Sequence, residues 1–224
     1  METALLNFIE ETNSTIESFL KGFTNGINQA GAKVFELNIK HYQILDCIGC
    51  TEDIFFEPNG TCKCEDDFTS AYPFLQKSQY LVFAIDLDKQ NLLKELNKVL
   101  LRMEPLFNFS FNGSLEQNTK KILLLLFSLR TSDLKPKVEE IIEEFANLYN
   151  YEYLGFLYRP DYHLLKMLPQ SIARSFGFEE SFTALGKELV ATGKINSSIK
   201  EKIEREFLPQ DSLFREIYAL IGRR

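Results

Sequence analysis

Ile122-Leu123-Leu124-Leu125-Leu126-Phe127 is the stretch on which the fold turns. It is a short run with no polar residue and no helical period. A run of this length between polar flanks reads as a strand buried on both faces, the kind found in parallel sheets. It is far too short for the roughly 20 apolar residues that cross a bilayer. Tyr80 to Ile85 has the same character, and Thr3 to Phe8, Val34 to Leu37 and Glu152 to Tyr158 supply three more candidate strands.

Between these strands lie helical patterns. Ile16, Phe19, Leu20, Phe23 and Ile27 recur at helical spacing, preceded by Thr12, Asn13, Ser14 and Thr15, which suit a helix N-cap. Lys89 to Arg102 and Val138 to Tyr149 read as further helices, the second with Glu139, Glu140, Glu143 and Glu144 on its wet side. Strand and helix alternate five times, which specifies a parallel sheet covered by helices on both faces. Ligands of such sheets bind beyond the strand carboxyl ends. That places Phe8 to Thr15, the loop after Leu37, and Asp86 to Gln90 at the expected binding edge. Everything after Pro160 reads as helical, broken near Pro169, Gly177, Gly193 and Pro209. The expectation is one domain over 1–224, with a core of roughly 1–160 and a helical C-terminal extension over 161–224.

Lys40 to Cys64 has no period of either kind and holds all four cysteines, Cys47, Cys50, Cys62 and Cys64. Loops that long in compact domains are usually functional or disordered. The pairs are spaced C-x-x-C and C-x-C. With no signal peptide or membrane span in view, the chain is expected in a reducing cytoplasm, where thiols precede disulfides. Four thiolates on one loop suit a [4Fe–4S] cluster or tetrahedral zinc, and spacing alone leaves both open. His41 lies near this loop as a distant further ligand; His41 and His163 otherwise read as surface or structural residues. Asp66 and Asp67 read as caps of a helix running to Gln76. The net charge of −7 is spread along the chain and no basic cluster appears, so no nucleic-acid partner is expected. No catalytic triad, Walker loop or G-x-G-x-x-G is present.

Asp46-Cys47-Ile48-Gly49-Cys50, followed by Pro58-Asn59-Gly60-Thr61-Cys62-Lys63-Cys64-Glu65-Asp66-Asp67-Phe68, resembles the cysteine loop of NADPH-dependent FMN reductase-like proteins and iron-sulfur flavoproteins. In that pattern C-x-x-C is followed by G-x-C-x-x-x-D-D before a helix, and Gly60, Cys62, Asp66 and Asp67 stand in register. Asn13-Ser14-Thr15 is similar to the end of the family's phosphate loop, and Arg102 with Pro105-Leu106 to the end of the helix after the third strand. The resemblance covers roughly residues 1–160. It implies a flavodoxin-like three-layer sandwich with a five-stranded parallel sheet. It also implies FMN with its phosphate at Thr12, Asn13, Ser14 and Thr15, a cluster on the four cysteines, an NAD(P)H or electron-carrier partner, and a homo-oligomer. The chain departs from the pattern at two places. Phe8, Ile9 and Glu10 stand where the phosphate loop has Gly, Ser and Pro, and Ala84-Ile85-Asp86-Leu87 replaces the S-P-x-Y that lines the flavin ring. These departures define the alternative expectation: a non-catalytic relative that has lost FMN and keeps a structural zinc or cluster.

Overall fold

The computed structural model describes residues 1–10, 14–49, 62, 64–108, 120–129, 132–167 and 176–205, with the side chains of 107–108 and 166–167 left aside. The elements in order are β1 (Glu2–Asn7), α1 (Ser14–Gln29), β2 (Lys33–Asn38), α2 (Tyr72–Lys77), β3 (Tyr80–Asp86), α3 (Leu92–Met103), a one-turn α4 (Pro105–Asn108), β4 (Lys121–Phe127), α5 (Leu134–Leu148), β5 (Glu152–Arg159), α6 (Phe178–Thr192) and α7 (Ser197–Glu204). Short 3₁₀ turns occupy Ile39–His41, Asp67–Ala71 and Tyr162–Met167.

The five strands are parallel and ordered β2-β1-β3-β4-β5. Successive side chains of a strand point to opposite faces, and both faces here are apolar. Leu81, Phe83 and Ile85 of β3, with Ile122, Leu124 and Leu126 of β4, pack under α2, α3 and α5. Val82, Ala84, Leu123, Leu125 and Phe127 pack on the other side against α1 and α6. This double burial is why β3 and β4 carry no alternation in their sequence.

Helices α1 and α6 meet almost backbone to backbone. A Cβ on Gly26 would lie 2.1 Å from the Thr183 carbonyl oxygen, and one on Gly186 would lie 2.2 Å from that of Phe23. Only glycine permits this approach. At the far edge of the sheet, β5 is bulged near Gly155, which has φ +93°. An edge strand exposes unpaired N–H groups; here Glu204 of α7 accepts one of them, from Tyr158 N, at 3.0 Å.

The helices differ from their sequence expectations at the ends. α3 starts at Leu92, not Lys89, because Asn91 takes a left-handed conformation with φ 57°. α5 starts at Leu134, ahead of the expected Val138, since Pro136 falls in the first turn, where the missing N–H costs nothing. After β5, Tyr162–Met167 forms a 3₁₀ turn and not an α-helix. Among the described residues no helix is long and apolar enough to cross a membrane.

Candidate functional site: the strand carboxyl edge and the cysteine loop

The carboxyl edge of the sheet is occupied by the chain's own side chains. Beyond β1 the Phe8 N–H still follows the ladder and donates to the Ala84 carbonyl at 2.8 Å. The next amide, Ile9 N–H, donates to the side chain of Asn7 at 2.9 Å, and Asn7 in turn donates to Glu36 at 2.7 Å. Phe8 is buried and stacks on Phe83 with ring centroids 6.4 Å apart, and Ile9 is buried on the opposite face. Of the four residues expected to cradle a phosphate, Ser14 is exposed and Thr15 half-buried in the first turn of α1, where Glu17 also lies. Thr12 and Asn13 lie outside the described residues.

At the end of β3, Asp86 accepts the Asp88 N–H at 3.1 Å and the Tyr162 hydroxyl at 3.2 Å. Burial pushes its carboxyl above the usual range, and the charges of Asp88 and Glu10 push the same way. Tyr162 comes from the turn after β5. It reaches across β4 to β3, and with Leu165 it is buried against the face that also holds Ile9, Phe19 and Phe127. A phosphate loop works by presenting free N–H groups to an anion. Here the first two N–H groups after β1 are spent, apolar side chains fill the exit, and Glu10, Asp86 and Asp88 set negative charge around it. At Phe8 and Ile9 the described part of this edge therefore offers an anion no free N–H. Beside β2, two depressions of 630 and 280 Å³ share Glu36 and Asn38. Glu10, Glu17 and Asp67 line them, with Lys21 and His41 as the basic groups, so they too disfavour an anion.

The cysteine loop is held differently. Arg102, on the buried stripe of α3, is wholly buried and ion-paired with Asp66, which is 3% exposed. Both guanidinium branches reach the Asp66 carboxylate. They also donate to the Leu45 carbonyl at 3.4 Å and the Cys64 carbonyl at 3.2 Å. One side chain thereby grips the segment leading into the loop and the segment leaving it. Burial is the largest single influence and opposes the Arg102 charge, but the Asp66 bond and charge, with the neighbouring Tyr72 and Cys62, together outweigh it and hold the guanidinium above its ordinary pKa. Tyr72, whose hydroxyl is pushed well up by burial, donates to the Arg102 carbonyl at 2.5 Å. Lys98, one turn earlier, donates to the Ile44 carbonyl at 3.0 Å and pairs with Asp46 at 2.9 Å. Asp66 and Asp67 also accept the Leu45 and Gln43 amides, both at 2.8 Å. Asp66 does cap the turn before α2, in a capping box with Thr69, but its larger role is as counter-ion of Arg102.

Cys62 is buried at 9% exposure against Phe68 and Tyr72, while Cys47 and Cys64 are half-buried. Two sulfurs receive a backbone N–H from the residue two places on: Gly49 to Cys47 at 3.4 Å and Cys64 to Cys62 at 3.5 Å. Hydrogen bonds to sulfur are among the features that tune thiolate metal centres, and Gly49 meets the geometry at φ +71°. The donor chemistry fits a thiolate centre. Cys50 lies outside the described residues, and among the described residues no three His, Cys, Asp or Glu side chains gather closely enough to hold a metal ion. His41 lines the larger depression instead.

The sequence likened Arg102 to the end of the helix after the third strand in the resembled family but did not reveal its clamp, nor Lys98, Asp86 or Tyr162. One signal was present. Arg102 shares the helical stripe of Leu92, Leu96, Val99 and Met103, and a buried arginine needs a carboxylate partner.

No protein-family model matches the chain. No curated protein matches it in sequence. Solved structures do match. An NAD(P)H:quinone oxidoreductase from Methanothermobacter marburgensis aligns at 14% identity and TM-score 0.55, over 84% of this chain and 96% of its own. RosB, solved with bound 8-demethyl-8-formylriboflavin-5'-phosphate, aligns at 13% and 0.57, over 100% of this chain and 86% of its own. A flavone reductase aligns at 11% and 0.58, over 95% and 73%. Likeness at these identities is likeness of fold, and with the strand order β2-β1-β3-β4-β5 it makes this chain a flavodoxin-like α/β protein.

Proposed function

We propose that this chain is a flavodoxin-like redox protein, related to iron-sulfur flavoproteins, whose working centre is the cysteine loop. Cys47, Cys50, Cys62 and Cys64 are its thiolate ligands, for an iron–sulfur cluster that carries electrons. The observation that carries this reading is the clamp: Arg102 and Asp66, buried together, tie both arms of the loop to α3. A loop anchored at both ends keeps its ligands near one another at low entropic cost. The strand edge, with its amides spent and its exit filled, is not the place of an FMN phosphate in this reading.

A second reading is favoured by the strand order and by fold neighbours that include a quinone oxidoreductase and a flavone reductase. In it the chain is an FMN-dependent NAD(P)H oxidoreductase and a homo-oligomer, and the phosphate lies against Thr12, Asn13, Ser14 and Thr15.

The test is an absorption spectrum of protein purified without oxygen, with iron and zinc quantified and FMN titrated into the same sample. The first reading expects iron, a broad cluster absorbance and no FMN binding, with the metal lost in Cys62→Ser. Bound zinc and a colourless sample would make the loop structural and the chain a non-catalytic module. Flavin bands, or saturable FMN binding, would replace the first reading with the second.

A further inference from the structure

Arg159 closes β5 and is 1% exposed. Its Nε donates to the Pro160 carbonyl at 3.0 Å, and its Nη1 donates to the carbonyls of Ile203 and Arg205 at 2.9 and 2.6 Å. The last two lie at the end of α7, so the guanidinium caps that helix, where a cation is favoured. The cap leaves Nη2 over. It is shut off from solvent and has no hydrogen-bond partner. Nor does a carboxylate come into ion-pair contact with Arg159 among the described residues; Asp161 acts on it only through space.

A second cation stands beside it. Arg159 lies over the Phe178 ring at 4.4 Å from its centroid, and Arg205 lies over the same ring at 5.2 Å. Arg205 is exposed and donates to the Phe176 carbonyl. Burial, with the Arg205 charge adding to it, pulls the Arg159 pKa down to about 10. A buried donor without a partner is costly, and a buried charge without a counter-ion costs more. Two guanidiniums share one ring, the inner one keeps an unpartnered Nη2, and neither meets a carboxylate among the described residues. Their planar forks match a carboxylate or phosphate group.

We propose that Arg159 and Arg205 form an oxyanion site at the carboxyl end of β5, for the phosphate or carboxylate group of a small molecule. The site is separated from β1 by β3 and β4. It is therefore independent of whether FMN binds, and of what the cysteines hold.

The experiment is thermal unfolding of the whole chain in inorganic phosphate, in acetate and in chloride at equal ionic strength, with Arg205→Gln and Arg205→Lys alongside. An anion at roughly five times its Kd is expected to raise Tm by about 3 °C over chloride. A rise in phosphate alone identifies the phosphate class, and an equal rise in acetate the carboxylate class. Arg205→Gln is expected to lose the rise, and Arg205→Lys, which keeps the charge without the fork, to keep a smaller one. No rise over chloride in either anion overturns the proposal, and so does a rise that survives Arg205→Gln. If Arg205→Gln does not fold, calorimetric titration of phosphate and acetate into the native chain decides: saturable heat supports the site, and none with either overturns it.

Discussion

The strand carboxyl edge and the cysteine loop lie close together in the fold, yet they are held by opposite means. The edge is closed by apolar bulk: Phe8 and Ile9 from one side, Tyr162 and Leu165 from the other. The loop is fixed by charge, through Arg102, Asp66 and Lys98 reaching backbone carbonyls on both of its arms. Apolar filling is indifferent to ligand chemistry and removes a site. A polar clamp leaves side chains beyond it free to act.

The comparison breaks most readily at Arg102. Arg102→Ala strands the Asp66 carboxylate in the interior, and removing one partner of a buried pair costs about 3–5 kcal/mol. Chemical denaturation measures that loss, and thiol labelling of the still-folded fraction is expected to show Cys62, now buried, reacting much faster. Unchanged Cys62 labelling in folded Arg102→Ala would show that the loop does not depend on the clamp.

Phe8→Ala tests the other side. Loss of a fully buried phenyl ring is expected to cost about 3 kcal/mol, with the cysteines no more reactive than before. A variant that loses little stability would mean that Phe8 does not fill the exit as described.

Lys98→Ala sharpens the picture on a smaller scale. Its partner Asp46 is 74% exposed, so the expected loss is far smaller than for Arg102, read as a slight shift in denaturation midpoint. A large loss would mean that Lys98 shares the clamp equally with Arg102.

The smallest expected effect is a slope. Asp86 has a raised pKa in the fold, so the folded state holds its proton to higher pH than the unfolded chain does. Stability from this group is present below the unfolded pKa and is lost as pH rises through the folded one. Relative to Asp86→Asn, the wild type should lose Tm on going upward from about pH 4, the ordinary range for aspartate. Parallel Tm curves would show that Asp86 is solvated and the edge open.

Much of the fold was legible because burial on two faces leaves a plain mark. The runs at Tyr80–Ile85 and Ile122–Phe127 can hardly be anything but inner strands. The cysteine-bearing stretch reads as a loop because nothing in it has a period; residues 50–61 and 63 of it lie outside the described residues. The clamp was not, since Arg102 and Asp66 are joined only by tertiary approach, and a charge on an apolar stripe reads as a flaw until its partner is seen. Tyr162 was hidden for a similar reason. A helical reading of the stretch after Pro160 set the residue on a helix face, whereas the 3₁₀ turn brings it back over the sheet to Asp86. At Phe8 the sequence marked the missing glycine, but only the structure shows the ring turned inward against Phe83.

The glycine contact between α1 and α6 has a consequence for the order of assembly. Gly22 and Gly26 leave α1 with a bare stripe of backbone against which Glu179, Thr183, Gly186 and Lys187 of α6 pack. While the chain emerges from the ribosome, α1 and one whole face of β3 and β4 must wait for more than half of the remaining sequence before that stripe is matched. Until then an apolar face lies open, the situation in which nascent chains aggregate or recruit chaperones. Docking of α6 is therefore the step that covers this face, and folding should be governed by how soon α6, the last long helix among the described residues, finds the first.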